Sequence, residues 1–193
     1  MKIVVARESL RRLLWWTQRA LFACALLLAG YCLFVLVDSS MFQNRERRSL
    51  EQLLPVRQAS PPVADDLVGR IEIPRLGVSV IVMEGTGSDI LRRAAGHISG
   101  TALPGQPGNI GISAHRDTFF RPIRNIRKND VITLTTPRGE YRYRVVSTRI
   151  VSPQDIAVLD PSGGEILTLV TCYPFYFIGP APSRFIVRAE RIA

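Results

Sequence analysis

An uncharged stretch near the N-terminus constrains this chain more than any other feature. The segment Ala20 to Val37 reads ALFACALLLAGYCLFVLV, and it is bounded by Arg19 and Asp38. About 18 to 20 apolar residues in a helix are enough to cross the hydrocarbon core of a bilayer. A soluble core helix would carry a polar stripe, and this segment has none. The segment therefore predicts a membrane anchor rather than a globular element.

Charged residues before the anchor indicate its orientation. By the positive-inside rule, an excess of Lys and Arg marks the cytoplasmic side of a membrane helix. A cleaved signal peptide would need a site of small residues, and VLVDSSMF (35–42) offers a poor one. We therefore expect residues 1–19 in the cytoplasm, 20–37 as an uncleaved anchor, and the rest outside. The charges before the anchor are Lys2, Arg7, Arg11, Arg12 and Arg19, against Glu8.

The chain changes character twice after the anchor. Residues 38–66 combine a short helical pattern with a Pro/Ala/Ser stretch, which predicts a stalk or linker. From residue 67 to residue 193, short β-type runs alternate with Gly and Pro. DVITLTT and YRYRVVSTRIVS flank the turn PRGE and predict a hairpin, whereas SDILRRAA and FFRPIRNI predict only short helices. Many short strands with few helices predict an all-β barrel or sandwich.

Side-chain alternation relates the last two predicted strands to each other. In EILTLVTC, Cys172 shares a face with Thr168 and Val170, because side chains in a strand alternate between two faces. In RFIVRAERI, Arg184 and Arg188 share one face. Neighbouring strands could therefore bring Arg184 beside the end of the strand that carries Cys172.

The net charge of +9 comes almost entirely from arginines that are spread along the chain. No Lys/Arg-rich block or nucleic-acid motif accompanies them, so we expect no nucleic-acid partner. A solvated basic surface is the simplest interpretation, and attraction to anionic lipid or to an anionic wall is also compatible.

The cysteines divide by location. Cys24 and Cys32 lie in the anchor, where a thiol behaves as a small apolar group. Cys172 is alone in the remainder of the chain, so it has no disulfide partner there. A zinc site is implausible with one cysteine and two histidines, and we predict no metal. Since a lone thiol outside the cytoplasm risks oxidation, a chemical role for Cys172 is favoured.

A cysteine nucleophile needs a proton partner and a group that stabilises the oxyanion. His115 ends the predicted strand GNIGISAH, and His97 lies in a predicted Gly-rich loop. For either histidine, a structural hydrogen-bonded role is the alternative to a chemical one. Arg184 and Arg188 on the last predicted strand are candidates for the oxyanion, as is Arg116, and the residue pattern does not choose between Arg184 and Arg116.

Three motifs together resemble the sortase family of cysteine transpeptidases. They are GHISGTALPGQPGNIGISAHRDTFF (96–120), LTLVTCYP (167–174) and RFIVRA (184–189). The likeness covers about residues 67–192 and is greatest to the class D group and its relatives in Gram-negative bacteria. It implies an eight-stranded β-barrel with short helices, preceded by one transmembrane helix.

The resemblance also implies roles for single residues. Cys172 matches the nucleophile, and His115 matches the histidine that exchanges protons with the departing and incoming amines. Arg184 matches the arginine that holds the substrate backbone and the oxyanion. Thr171 matches the position that helps to form the oxyanion hole. No cofactor is implied.

Function follows from the resemblance as an expectation. The enzyme would cleave a Leu-Pro-x-Thr-Gly-like sorting signal near the C-terminus of an exported protein and hold the acyl part as a thioester. It would then pass that part to an amine of a peptidoglycan precursor or of a protein lysine. The domain would face the outside of a bacterial cytoplasmic membrane. The alternatives are an anchored endopeptidase that only hydrolyses and a non-catalytic envelope-binding domain.

Overall fold

The computed structural model describes residues 7–53, 66–177 and 179–192, and the chain divides into two compact units, Met1–Ser40 and Met41–Ala193. The first unit lies mainly within the helix α1, Arg7–Leu53. Between Arg11 and Arg48, α1 is long and apolar enough to cross a membrane, and the predicted anchor falls inside this range. The helix is therefore a candidate membrane span.

The last turns of α1 belong to the second unit and pack on its surface. Leu50 is buried in a small cluster with Leu67 and Ile81. The side-chain oxygen of Gln43 accepts a hydrogen bond from the backbone N–H of Ile81 at 3.0 Å. The side-chain NH₂ of Gln43 donates to the carbonyl of Arg93. This part of the helix is consequently held by both apolar and polar contacts.

The segment predicted as a stalk, 38–66, thus begins as helix. Its helical pattern continues in α1 to Leu53. Residues 54–65, which contain the Pro/Ala/Ser stretch, lie outside the described residues.

Eight strands form a closed barrel in the second unit, as the resemblance predicted. Neighbouring strands around the barrel follow the order β1-β2-β3-β4-β7-β8-β6-β5, and β5 pairs with β1 to close it. Two of the pairings, β2 with β3 and β4 with β7, are parallel, and the others are antiparallel. The strands are β1 Leu67–Ile73, β2 Val78–Glu84, β3 Ala95–His97, β4 Gly108–Ser113, β5 Val131–Thr136, β6 Gly139–Val151, β7 Glu165–Tyr173 and β8 Ser183–Ile192.

Local turn chemistry explains two hairpins of the barrel, of which the sequence predicted the second, between β5 and β6. Between β1 and β2, the 3₁₀ turn Pro74–Leu76 ends at Gly77, whose φ of 64° is accessible to glycine at little cost. Between β5 and β6, Thr136 pairs with Gly139 across a tight connection. The predicted short helices are α2, Ser88–Leu91, and the 3₁₀ turn Arg121–Asn125.

Strand β3 was not predicted, because AGH was read as part of a Gly-rich loop. It has three residues and is held between its neighbours on both sides. His97 pairs with Glu84 of β2 and with Ile112 of β4. A strand this short is defined by long-range pairing rather than by its own residues.

Alternation along β7 and β8 separates the barrel interior from an outer face. Leu167 and Leu169 of β7, with Val187 and Ala189 of β8, are buried in the main core. Cys172, on the opposite side of β7, is only half-buried. The predicted face of Cys172, Val170 and Thr168 is therefore the outer one. Thr168 is fully buried on it, whereas Val170 and Cys172 are half-buried.

A buried tyrosine fixes the start of β7. Tyr143 is fully buried, and its hydroxyl donates to Glu165. The backbone N–H of Gly105, in the β3–β4 loop, donates to the same carboxylate at 3.1 Å. Burial, and then the Glu165 carboxylate, raises the pKa of Tyr143 well above its usual value. The hydroxyl consequently remains a donor across the physiological pH range.

Candidate active site

One cavity of about 310 Å³ brings the predicted site residues together. His115, Thr171, Cys172 and Arg184 all line it. Cys172 on β7 lies directly opposite Arg184 on β8 in the antiparallel register. The cavity is completed by residues of the β2–α2 connection, α2, the β3–β4 loop and the ends of β4 and β7: Thr86, Leu91, Ile98, Ser113, Ala114 and Val170.

His115 reaches the cavity from the side opposite to Arg184. Strand β4 is the parallel neighbour of β7, and Ser113 at its end pairs with Val170. His115 follows two residues later, and its ring is exposed. Its carbonyl accepts a hydrogen bond from the N–H of Phe120 at 3.1 Å, which fixes the turn that carries it. Cys172 thus has an imidazole on its β4 side and a guanidinium on its β8 side.

Thr171 points away from the outer face. Its hydroxyl is buried and donates to the carbonyl of Ala114 at 2.7 Å, next to His115. A hydroxyl has one hydrogen, so this side chain cannot also donate to an oxyanion. This hydrogen bond joins the residue before Cys172 on β7 to the residue before His115, just after β4. Any stabilisation of an oxyanion by Thr171 would therefore come from its backbone.

Arg184 is half-buried, and part of its guanidinium is engaged. Nη1 donates to the carbonyls of Ala181 and Ser183 at 3.2 and 3.0 Å. These contacts orient the side chain along the end of the β7–β8 loop. Arg184 lines the cavity together with Cys172.

Arg116, the other arginine that the sequence left open, has a different position. Its side chain is buried and extends into the β7–β8 loop, where it donates to the carbonyls of Pro174, Phe177 and Gly179 at 2.8, 2.6 and 3.1 Å. Three charge-assisted hydrogen bonds fix the guanidinium in that loop. Arg116 therefore joins the turn carrying His115 to the loop that follows Cys172, whereas Arg184 lines the cavity.

Replacing Arg116 by Met should release the β7–β8 loop, because three carbonyls lose a buried charged donor. We expect a fall of about 2–4 kcal/mol in the free energy of unfolding. We also expect at least a tenfold loss of kcat/KM, since the loop adjoins Cys172, and new proteolytic cleavage within 174–182. Chemical denaturation, peptide kinetics and limited proteolysis measure these three effects.

Arg121→Met is the matched control, because Arg121 is exposed on the same connection. It should leave stability and loop cleavage unchanged. Arg116→Lys should recover part of the loss, since an ammonium can reach one or two of the carbonyls. Wild-type stability and loop protection in Arg116→Met would contradict this role.

His97 does not line the cavity. Its ring is buried, with Nδ1 at 2.6 Å from the Glu84 carboxylate and Nε2 at 3.0 Å from the carbonyl of Ala102. The Thr101 hydroxyl lies at 3.0 Å from Nε2. The ring therefore ties β3 to β2 and to the β3–β4 loop, which is the structural role that the sequence left open.

The β6–β7 loop, residues 152–164, is pinned over the outer face by a residue that the sequence reading missed. Asn109 on β4 is buried, and its amide donates to the carbonyls of Val158 and Asp160 at 3.0 and 3.2 Å. Its side-chain oxygen accepts a hydrogen bond from the Thr168 hydroxyl at 2.7 Å. The only signal in the sequence is a polar residue in the otherwise small and apolar run GNIGIS.

The arrangement can support acyl transfer. A thiol, an imidazole and a guanidinium line one cavity, which supplies a nucleophile, a proton carrier and a cation for an oxyanion. Within the described ranges, no group of three or more His, Cys, Asp and Glu side chains is placed to hold a metal. Fold and cavity together are those of a β-barrel cysteine acyl-transfer enzyme.

Comparison with known proteins specifies the family. The model of the Sortase domain family matches residues 71–192. Sortase D of Bacillus subtilis (strain 168) is 31% identical over 189 residues, covering 89% of this chain and 96% of that protein. The chain therefore belongs to the sortase family and is a cysteine transpeptidase, and the expected likeness to class D is confirmed.

Solved structures agree with this assignment. A Sortase D5 transpeptidase of Clostridium perfringens superposes with a TM-score of 0.65 at 26% identity, covering 80% of this chain and 98% of that one. Sortase A of Corynebacterium diphtheriae gives a TM-score of 0.62 at 29% identity, covering 76% of this chain and 67% of that one. Sortases act on proteins that carry sorting signals and on amine acceptors, so partners of these two kinds are implied.

Proposed function

We propose that this transpeptidase cleaves a Leu-Pro-x-Thr-Gly-like signal near the C-terminus of an exported protein and joins the protein to an amine at the cell envelope. The observation that carries the proposal is the single cavity shared by Cys172, His115 and Arg184. Each of these side chains is of the type that one step of acyl transfer requires.

In the proposed first half-reaction, the Cys172 thiol gives its proton to His115, and the sulfur attacks the carbonyl carbon of the scissile bond. Arg184 stabilises the resulting oxyanion, because it pairs with Cys172 in the strand register and lines the same cavity. The C–N bond then breaks, and His115 gives the proton to the departing amine. The acyl part remains bonded to sulfur as a thioester.

In the proposed second half-reaction, an amine attacks the thioester carbonyl and loses a proton to His115. The C–S bond breaks, and Cys172 regains its proton. The acceptor is a peptidoglycan precursor or a protein lysine, since both present a primary amine. Thr171 assists through its backbone, because its hydroxyl is already bonded to Ala114.

The proposed location is the cytoplasmic membrane of a bacterium, with one span, residues 1–19 inside and the barrel outside. Support comes from the candidate span in α1 and from the excess of basic residues before the apolar segment. An exported substrate and an envelope acceptor are both accessible on that side.

Mass spectrometry of the intact protein tests the proposal. The full chain in detergent is incubated with a set of Leu-Pro-x-Thr-Gly-like peptides, first alone and then with an excess of a small primary amine. We expect an acyl adduct on Cys172 and, with the amine, an amidated product in place of the free acid. If the free acid remains the product when the amine is present, the protein is an endopeptidase that only hydrolyses. Failure of every peptide to acylate Cys172 would reject the proposed signal.

A further inference from the structure

A second concavity of about 200 Å³ lies on the outer face beyond Cys172, and we name it the arginine pocket. It is lined by Ser147 and Arg149 of β6, Thr168 of β7, Ile186 and Arg188 of β8, and Asp155 of the β6–β7 loop. Thr168 pairs with Arg188, just as Cys172 pairs with Arg184. The Thr168–Arg188 pair lies four residues along the strands from the Cys172–Arg184 pair, which corresponds to about 13 Å.

The wall of the arginine pocket is held in place. Thr168 is fully buried, and its hydroxyl donates to the side-chain oxygen of Asn109. The Asn109 amide in turn donates to the carbonyls of Val158 and Asp160 in the overlying loop. The pocket is therefore shaped before any ligand enters, which lowers the ordering cost of binding.

The charge of the arginine pocket favours an anion. Arg149 and Arg188 contribute two guanidinium groups, and Asp155 is the one carboxylate in the lining. Across the described residues, neither arginine forms an ion pair, while other arginines of the barrel do. Two arginines can bind one carboxylate through several charge-assisted hydrogen bonds.

The position of His115 indicates which part of a substrate reaches the arginine pocket. His115 approaches Cys172 from the β4 side, and the departing amine must be near it to receive a proton. The acyl segment then extends to the opposite side, over β8 and β6. An extended peptide advances about 3.3 Å per residue, so about four residues before the cleaved bond span the distance.

We propose that the arginine pocket binds an acidic side chain of the sorting signal, four or five residues N-terminal to the cleaved bond. The inference rests on the proposed acyl transfer at Cys172 and goes beyond it. It assigns to this chain a preference for signals with Asp or Glu at, or directly before, the position of the leucine.

Competition between paired peptides tests the inference with the full chain in detergent. Each pair differs by Asp against Asn, or Glu against Gln, at one of positions three to six before the cleaved bond. We expect an acidic preference of about 2- to 5-fold in kcat/KM at position four or five in low salt, as for exposed ion pairs. About 0.5 M salt should remove most of it.

Variants of the arginine pocket provide the decisive comparison. Arg188→Gln and Arg149→Gln should each reduce the ratio of acidic to amide peptide toward one, and Arg188→Glu should favour a Lys peptide. Arg144→Gln is the control, because Arg144 is an exposed arginine of β6 outside the pocket lining.

The outcomes separate the two proposals. An acidic-to-amide ratio of one at every position, with normal turnover of neutral peptides, overturns the arginine pocket and leaves the transpeptidase proposal intact. An acidic-to-amide ratio that is the same in the wild type and in Arg188→Gln also overturns the proposed role of the arginine pocket. If no peptide acylates Cys172, both proposals fail.

Discussion

Replacing Cys172 by alanine is expected to lower peptide turnover by at least about 10³-fold and to abolish the acyl adduct. Alanine has no atom that can bond to the acyl carbon, so neither half-reaction can proceed through an acyl-enzyme. Cys172 is half-buried at a strand end, and the stability cost should stay below about 1 kcal/mol. Turnover is measured by peptide cleavage, the adduct by mass spectrometry and stability by thermal unfolding.

The other two cysteines supply a matched control. Cys24 and Cys32 are exposed on α1, within the candidate membrane span. The double variant Cys24→Ala/Cys32→Ala keeps Cys172 as its single thiol and should match the wild type in turnover and adduct mass. An adduct on Cys172→Ala, or full turnover by it, would exclude this residue as the nucleophile.

Replacing His115 by alanine should reduce acylation by about 10²- to 10⁴-fold, the usual contribution of general acid–base catalysis. In the proposed mechanism, this variant lacks the group that accepts the thiol proton and that protonates the departing amine. The ring is exposed, so its removal should leave thermal unfolding close to that of the wild type. Rapid-quench measurement of the first turnover gives the acylation rate directly.

Restoration of the activity of His115→Ala by a small molecule distinguishes proton transfer by His115 from a structural role. Added imidazole should restore part of the activity of His115→Ala. Position 115 is exposed and lines the cavity, so imidazole from solution can reach it. His115→Gln, which can hydrogen-bond but cannot carry a proton, should remain as slow as the alanine variant. Wild-type acylation in His115→Gln would show that another group carries the proton.

Patterns within single strands predicted much of the barrel. The hairpin of β5 and β6 and the pair of β7 and β8 follow from alternation and turn residues, which are local properties. Alternation also placed Cys172 and Arg184 on faces that meet in the register. Whether that shared face was interior or outer depended on the closure of the barrel, which is a property of the whole chain.

The features that the sequence did not predict depend on contacts between residues far apart in the chain. Arg116 donates to backbone carbonyls 58, 61 and 63 residues later in the chain. The residues around Arg116 give no indication of these partners. Asn109 fixes a loop about 50 residues away. The three residues of β3 become a strand only between β2 and β4. Side-chain bonds to distant backbone carbonyls leave no periodic pattern, so sequence reasoning could not find them.

The packing of the end of α1 on the barrel affects how a soluble form of the enzyme should be designed. A polypeptide that starts at Leu67 would lack Leu50 and expose Ile81, with Met83 beside it, to solvent. It would also leave the Ile81 N–H without the Gln43 side chain. An uncovered apolar patch next to an unpaired backbone donor favours self-association. Expression should therefore begin near Met41, which keeps the docked turns and omits the apolar segment.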